Sequence, residues 1–439
     1  MLDEALAGLA PACVWVAYSG GADSSALLVL ARDWGQARNV PIRAVHVNHG
    51  IASEAGDWAR RCQRQAESLG VALEVLTVTV PEKPVEGLEA AAREARYAAL
   101  GARLGLGDVL LVAQHADDQL ETFLLQALRG AGPGGLASMP LRARLGVGWL
   151  ARPLLKCSRT GLAELAAEHR LDVIEDPSNT DPALDRSYLR NEVLPAVYRR
   201  WPSAAVTISR SAALCAETAV LVESLGAGEL GRLMDNAGRL SVPGLLSLDA
   251  PRRHAVLRSW LVRRGLPLPS RVKLQAMVTE VAGAAHSRNP CLCWSGGEVR
   301  RHRQRLYAMP PLGDLPSGVG LELARSAPVT LPGGLGQMAL VLRSAGAGLD
   351  PGQLAGRRLM LRWREGGERL MPAGHRVRRT LKDWLREQGV VPWMRARLPL
   401  LYVDNELAAV ADLWVAADFA AAAGTPAISL VWPGRPALF

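Results

Sequence analysis

Ser19-Gly20-Gly21-Ala22-Asp23-Ser24 gathers two glycines, two hydroxyls and one carboxylate into six consecutive residues. Glycines let a backbone turn, and approach a ligand, where a side chain would forbid it. The hydroxyls of Ser19 and Ser24 add donors, so the stretch suits a phosphate or pyrophosphate. Asp23 would repel a bare phosphate, and its carboxylate asks for Mg²⁺ or an ammonium group beside the anion. The spacing differs from a Walker A loop, and no Gly-Lys-Ser/Thr follows. An ordinary strand-to-helix turn capped by Asp23 or Ser24 would use some of the same residues. Two further clusters raise the functional reading above that one. His46-Val47-Asn48-His49-Gly50 and Gln114-His115-Ala116-Asp117-Asp118-Gln119 bring three histidines and two more carboxylates. Capping of a helix accounts for Asp117, but less readily for a second acid beside His115.

The surrounding pattern places these clusters together. Val14–Ser19 reads as a strand, followed by a helix over Asp23–Gln36, so the glycine turn lies between strand end and helix N-terminus. There the backbone N–H groups and the helix dipole converge on an anion. Ile42–Asn48, Leu73–Val80 and Val109–Ala113 are further apolar strands, alternating with helices at about 54–69, 87–104 and 117–129. Continuous apolar strands separated by helices imply a doubly wound parallel α/β sheet, whose ligands bind beyond the carboxyl ends of the strands. All three clusters fall there. The helix from Gly87 carries Glu89, Arg93 and Arg96 on neighbouring turns. Arg129–Leu136 is too rich in glycine for a regular element and reads as a substrate-facing loop. Asp185–Asn191 mixes Arg, Asn and Tyr, which suits RNA bases or a polar helix surface equally.

The chain has 439 residues and a net charge of +9. The charge is unevenly spread. Residues 1–200 hold 21 basic and 24 acidic side chains, whereas 252–305 hold 12 and 2, and 357–397 hold 12 and 4. Two dense arginine segments favour an extended polyanion, most simply nucleic acid. A long helix from Ser203 to about Leu225 and a linker at Gly226–Gly238 lead into the first of them. We therefore expect an α/β domain over 1–212, a mainly helical middle domain over 213–350, and a small α+β domain over 351–439. Cys13, Cys62, Cys157, Cys215, Cys291 and Cys293 form no paired framework, which fits a reduced, cytoplasmic compartment. Cys291 and Cys293 are spaced too closely for a usual zinc knuckle and read as packing residues. The N-terminus lacks a basic, apolar signal, and the uncharged run near the C-terminus is short of a membrane span.

The motif SGGADS resembles the signature of PP-loop ATP pyrophosphatases. The later motifs narrow the resemblance to the tRNA(Ile)-lysidine synthase family: His46–Gly50, Leu88–Tyr97, Ala113–Thr122, Arg129–Met139, Glu175–Asn179, Asp185–Arg190, Arg210–Glu217, Leu381–Leu385, Val391–Trp393 and Pro399–Leu401. Ile51-Ala52 departs from the Leu-Arg often found in related sequences. The resemblance implies ligation of L-lysine to C2 of the wobble cytidine of tRNA(Ile) with a CAU anticodon. It implies ATP held by Ser19, Gly20, Gly21, Ala22, Asp23, Ser24 and His46, with Mg²⁺ at Asp23. The cytidine oxygen would attack the α-phosphorus, and the lysine amine would then displace AMP. That amine is protonated in water and needs a base, for which His115, Asp117 and Asp118 are candidates. Arg93 or Arg96 would offset charge on the departing phosphates. A homodimer is possible, and no membrane partner is expected. Two rivals are a PP-loop tRNA thiolation enzyme and a non-catalytic tRNA-binding protein. The first would need a reactive cysteine, and none lies within the crevice motifs; the retained Asp23, His115, Asp117 and Asp118 oppose the second.

Overall fold

The computed structural model describes residues 1–48, 54–79, 88–174, 185–285, 289–315, 320–344 and 346–439. His49-Gly50, Ile51-Ala52 and Glu175–Asn179, singled out above, lie outside the described residues, as does the side chain of Glu89. The chain divides into two compact units, Met1–Leu221 and Val222–Phe439.

The first unit begins with helix α1 (Leu2–Leu6) and strand β1 (Val14–Ala17), then α2 (Ala22–Arg38), β2 (Ile42–Asn48), α3 (Ala55–Ser68) and β3 (Ala72–Thr77). It continues through α4 (Leu88–Arg103), β4 (Val109–Leu111), α5 (Ala116–Leu128), the short turn α6 (Pro133–Leu136), β5 (Arg142–Leu145), β6 (Gly148–Ala151) and α7 (Arg159–Glu168). The sheet order is β3-β2-β1-β4-β6-β5. β1 pairs in parallel with both β2 and β4, so the winding direction reverses between β1 and β4. Only the β5–β6 pair is antiparallel in this sheet. Alternation along the strands splits the core between two faces. Val14, Val16 and Leu111 pack on one side with Leu27 and Leu28 of α2, while Trp15, Leu110 and Val112 pack on the other with Leu100 of α4. The doubly wound sheet expected from the strand pattern is thus present. α6 corrects the reading of 129–136 as wholly irregular: Pro133 sits at the first helical position, where its missing N–H costs nothing.

The unit closes with α8 (Asp185–Tyr188), a wider π-type turn at Leu189–Val193, and α9 (Leu194–Arg200). Helix α10 (Ala204–Leu233) then runs from this unit into the second. The expected linker at 226–238 is therefore half helix. At Gly226 an added Cβ would meet Ser259 Oγ at 2.6 Å and the Ala255 carbonyl at 2.7 Å. That glycine marks a close helix crossing, which a glycine-as-linker reading overlooks. α10 is long and apolar enough to cross a membrane by length and composition alone. A single such helix is weak evidence, and both ends pack into protein cores through Ala204, Ala205 and Leu230.

In the second unit, helices at Ala250–Arg263 and Arg271–Ala276 back a four-stranded antiparallel sheet formed by Leu240–Ser241, Cys291–Trp294, Gly297–His302 and Arg305–Met309. So the middle region is helical but carries a sheet. Leu321–Glu322 pairs with Leu359–Arg362, and Gln337–Arg343 pairs with Ala427–Val431. One core runs from Tyr307 to Leu438 and contains both sheets. The boundary expected at 350 falls inside this fold, because the strands before it complete sheets made after it.

Candidate active site

The glycine turn is built by the strand before it and the helix after it. β1 ends at Ala17, Gly20 takes φ +84°, and α2 starts at Ala22. A Cβ on Gly20 would strike Ile174 Cδ1 at 2.5 Å and Cys62 Sγ at 2.9 Å. Gly20 is therefore required by the fold itself. On Gly21 a Cβ would meet nothing closer than Ser19 Oγ at 3.6 Å. Gly21 lines a cavity beside the turn. Ser24 Oγ donates to the Gly21 carbonyl at 3.0 Å and lies 3.1 Å from Ser19 Oγ, which fixes the turn from within.

Asp23, on the first turn of α2, has its Oδ1 buried with no hydrogen-bond partner among the described residues. Its Oδ2 lies 3.5 Å from His115 Nε2. His115 is the N-cap of α5 and nearly fully buried, and it also contacts Asp117 Oδ2 at 3.4 Å and Asp118 Oδ2 at 3.5 Å. These are ion-pair separations, longer than good hydrogen bonds. Burial works against a charged imidazole here. The contacts with Asp117 and Asp23 and the charge of Asp118 outweigh it, pushing the His115 pKa up to about 10. The centre is thus a charged imidazole surrounded by Asp23, Asp117 and Asp118.

The two aspartates of α5 are not equivalent to Asp23. Asp117 accepts from the Tyr198 hydroxyl and, at 3.0 Å, from the Arg159 N–H that begins α7. Burial opposes its ionisation, but His115, Tyr198 and the Arg159 amide together hold it well below the usual carboxylate range. Asp118 accepts the His115 backbone N–H at 3.0 Å, completing a capping box, and lies 3.4 Å from Arg190.

Sequence reasoning missed the support beneath this row. Glu121, one turn further along α5, is 1% exposed and held by Arg190 at 2.7 Å and Arg186 at 3.2 Å. Burial pushes its pKa up, and the bond from Arg190 offsets this only in part. Arg186 and Arg190 belong to the 185–191 stretch, for which the sequence suggested an RNA-facing or polar surface. They brace the acidic helix, and Arg186 also lines the cavity beside the glycine turn. The signal was present in Glu121 itself, a charge on the apolar face of a helix with no local partner.

A cavity of about 310 Å³ opens beside the turn, lined by Ser19, Gly21, Asp23, Ser24, His46, Arg93 and Arg96, with Val45, Val47 and Leu100 on its apolar side. His46 Nδ1 lies 2.9 Å from the Tyr18 carbonyl. Burial holds its pKa below the ordinary histidine value, so the ring is neutral and Nδ1–H donates. Arg93 and Arg96 reach the cavity from α4, both near the Tyr97 ring. Ser19, Gly21, Asp23, Ser24, His46, Arg93 and Arg96 thus line one cavity, while His115, with Asp117 and Asp118 around it, adjoins that cavity through Asp23. One expectation is corrected: Cys62 does adjoin the crevice, directly beneath Gly20. It is fully buried, and burial pushes the thiol up to about 11, so it fills space rather than supplying a thiolate.

Known proteins share this arrangement of domains. A PP-loop domain model matches residues 2–197, a TilS substrate-binding domain model matches 240–307, and a TilS substrate C-terminal domain model matches 359–432. The tRNA(Ile)-lysidine synthase of Methylococcus capsulatus is 40% identical over 98% of this chain and 99% of its own length. Those of Alkalilimnicola ehrlichii and Xanthomonas campestris pv. campestris are each 41% identical, covering 95% and 93% of this chain and 94% and 92% of theirs. Among solved structures, the U34-tRNA thiolase NcsA from Methanococcus maripaludis aligns with 17% identity and a TM-score of 0.39 over 48% of this chain and 74% of that one, too slight a likeness to bear on function. On these relatives and domains, the chain belongs to the tRNA(Ile)-lysidine synthase family of ATP-dependent ligases.

Proposed function

We propose that the ligation takes place in the crevice beyond β1, β2 and β4, with roles set by the contacts described above. The backbone of Ser19–Ser24, with the Ser19 and Ser24 hydroxyls and the positive end of α2, binds the ATP phosphates. His46 and the apolar Val45, Val47 and Leu100 line the adenosine side of the cavity. Mg²⁺ fits at Asp23, whose buried Oδ1 has no partner among the described residues; one carboxylate plus phosphate oxygens is a usual Mg²⁺ ligand set. Bound there, the ion would neutralise charge on the phosphates.

The substrate is a tRNA(Ile) with a CAU anticodon. The wobble cytidine O2 attacks the α-phosphorus and pyrophosphate leaves, its charge offset by Arg93 and Arg96. The lysine amine then attacks C2 of the adenylated cytidine, and AMP departs. Asp117, with both oxygens engaged, positions His115 and α7. His115 enters as an imidazolium and steadies developing negative charge, so the amine proton passes to a carboxylate, for which Asp118 beside His115 Nε2 is placed. Glu121, Arg186 and Arg190 hold α5 in place for this.

Around this centre we assign three parts: the catalytic unit, a middle tRNA-binding region near 240–307, and a C-terminal tRNA-binding fold that begins near 311. The enzyme works in the cytoplasm, and the exposed Leu214, Val220 and Leu221 of α10 offer a surface for a homodimer.

The observation that carries the reading is the orphaned Asp23 oxygen, set in a glycine turn and beside a charged His115, whose Nε2 is 3.5 Å from the other Asp23 oxygen. The test supplies tRNA(Ile) with a CAU anticodon, ATP, Mg²⁺ and radiolabelled lysine to the full chain. Labelled tRNA with equimolar AMP and pyrophosphate is expected. Pyrophosphate release without label in the tRNA, or sulfur incorporation from a sulfide donor, would overturn it.

A further inference from the structure

Away from the crevice, the hairpin of the middle sheet brings two thiols and a buried carboxylate together. Cys291 and Cys293 lie two apart on the strand Cys291–Trp294, so their side chains share one face. In the neighbouring strand, Glu298 stands opposite Cys293, and Arg300 stands opposite Cys291. Cys291 Sγ and Cys293 Sγ are 3.6 Å apart, and Cys293 Sγ is 3.9 Å from Glu298 Oε2. All three donor atoms lie within 4.8 Å of one another.

The sulfur–sulfur separation matches a tetrahedral ion, while the Glu298 oxygen must close in by a few tenths of an ångström. Zn–S bonds of about 2.3 Å and a Zn–O bond of about 2.0 Å place two sulfurs roughly 3.7 Å apart and a sulfur and oxygen roughly 3.5 Å apart. The sulfurs need almost no rearrangement. The short Cys-x-Cys spacing argues against a zinc knuckle, where the ligands leave a turn. On an extended strand the same spacing is the one that aims both thiolates at a single point. Charge also balances. Two thiolates, one carboxylate and a divalent ion carry a net negative charge, and Arg300 already sits 2.7 Å and 3.2 Å from the Glu298 oxygens. We propose that Cys291, Cys293 and Glu298 bind one thiophilic divalent cation, of which Zn²⁺ is the best fit, with the fourth position open to water. The strand that carries both cysteines is an edge of its sheet, so the ion would staple it to its neighbour.

The test uses the reduced full chain, titrated with Co²⁺ as a spectroscopic stand-in and with Zn²⁺ against a chromogenic chelator. One equivalent bound, with thiolate-to-cobalt charge-transfer absorption, is expected. Cys291→Ser and Cys293→Ser, both at exposed positions, should each lose the band while keeping the parent circular dichroism, and Cys62→Ser should keep it. Zn²⁺ should raise the thermal midpoint of the parent but not of the Cys291→Ser/Cys293→Ser double variant. Binding undiminished in that double variant, or a fully reduced parent that takes up no metal, would overturn the assignment.

Discussion

In the first unit, charged side chains turn inward and bind one another: His115 among Asp23, Asp117 and Asp118, and Glu121 beneath Arg186 and Arg190. In the second unit, arginines outnumber acids, and many are committed to the backbone. Arg301 donates to the carbonyls of Ala282 and Ala284 at 2.6 Å each, Arg325 to those of Leu354 and Arg357, and Arg395 to that of Val390. Others pair with acids, as Arg357 does with Asp404 and Arg379 with Glu387. A carbonyl-bound guanidinium still adds to the long-range field, but its donors are already engaged. Formal charge therefore identifies the partner's sign without locating the contacts. In the crevice the near-zero sum conceals a concentrated charged centre; in the second unit the large sum overstates the groups ready to touch RNA.

The largest effect is expected at the crevice carboxylate that keeps one oxygen without a partner among the described residues. Asp23→Asn should lower pyrophosphate release by about 100-fold or more, the scale of losing a group that steadies transition-state charge. Its circular dichroism should remain near the parent and its melting point should fall only modestly, because Asp23 Oδ1 makes no hydrogen bond among the described residues and Asp117 and Asp118 still face His115. Near-normal release would reduce Asp23 to a helix-end residue.

The two glycines beside it should separate fold from chemistry. Gly20→Ala forces a side chain into Ile174 and Cys62 at a positive φ, and should cost roughly 3 kcal/mol of stability. Gly21→Ala has room within the protein, so stability should hold while ATP affinity falls about tenfold, or ~1.4 kcal/mol. Urea melts and ATP titrations on both variants check this. Equal effects would show that the open side of Gly21 is not where phosphate approaches.

A smaller effect is expected below the turn. Cys62→Ser buries a hydroxyl in place of a thiol and should cost about 1–2 kcal/mol, with lysine transfer per folded molecule unchanged. Loss of turnover in a folded variant would revive sulfur chemistry at this site.

The catalytic sheet was legible because its strands are apolar without interruption and its turns carry glycine or acid–histidine clusters at their ends. Ser19–Ser24 and Gln114–Asp118 announce their place by residue type alone. What escaped was set by contacts distant in sequence. Nothing near Glu121 reveals that Arg190 will reach it, and Tyr198 gives no local sign of its bond to Asp117. Gly226 looked like a linker because its reason, the Ala255 backbone and the Ser259 hydroxyl, lies about thirty residues on. The pairing of 337–343 with 427–431 joins segments too far apart for any hairpin signal. For the same reason, the arginines of the second unit read as surface when several are internal ties.

Committed and uncommitted arginines can be told apart by substitution, with the smallest effects of all. Deleting residues 351–439 would strip sheets from 321–343 and expose the core around Leu335 and Met338, so weaker binding would report unfolding. Point substitutions avoid this. Arg378 pairs with Asp418 at 3.3 Å and Arg379 with Glu387 at 2.6 Å, whereas Arg376 and Lys382 make no ion pair among the described residues. If uncommitted charge touches the tRNA backbone, Arg376→Gln/Lys382→Gln should weaken tRNA binding evenly across sequences. It should also flatten the slope of log affinity against log salt by about one for each phosphate no longer neutralised. Arg378→Gln/Arg379→Gln should change the slope less, since those guanidinium groups are already shared with carboxylates. ATP affinity should stay constant in both, because the crevice is complete within the first unit. The measurement is tRNA binding over a salt series for the two double variants and the parent. Equal slopes in all three would place the tRNA contacts elsewhere in the arginine-rich surface. A larger drop in affinity for Arg378→Gln/Arg379→Gln would mean that paired arginines exchange their carboxylates for phosphates on binding.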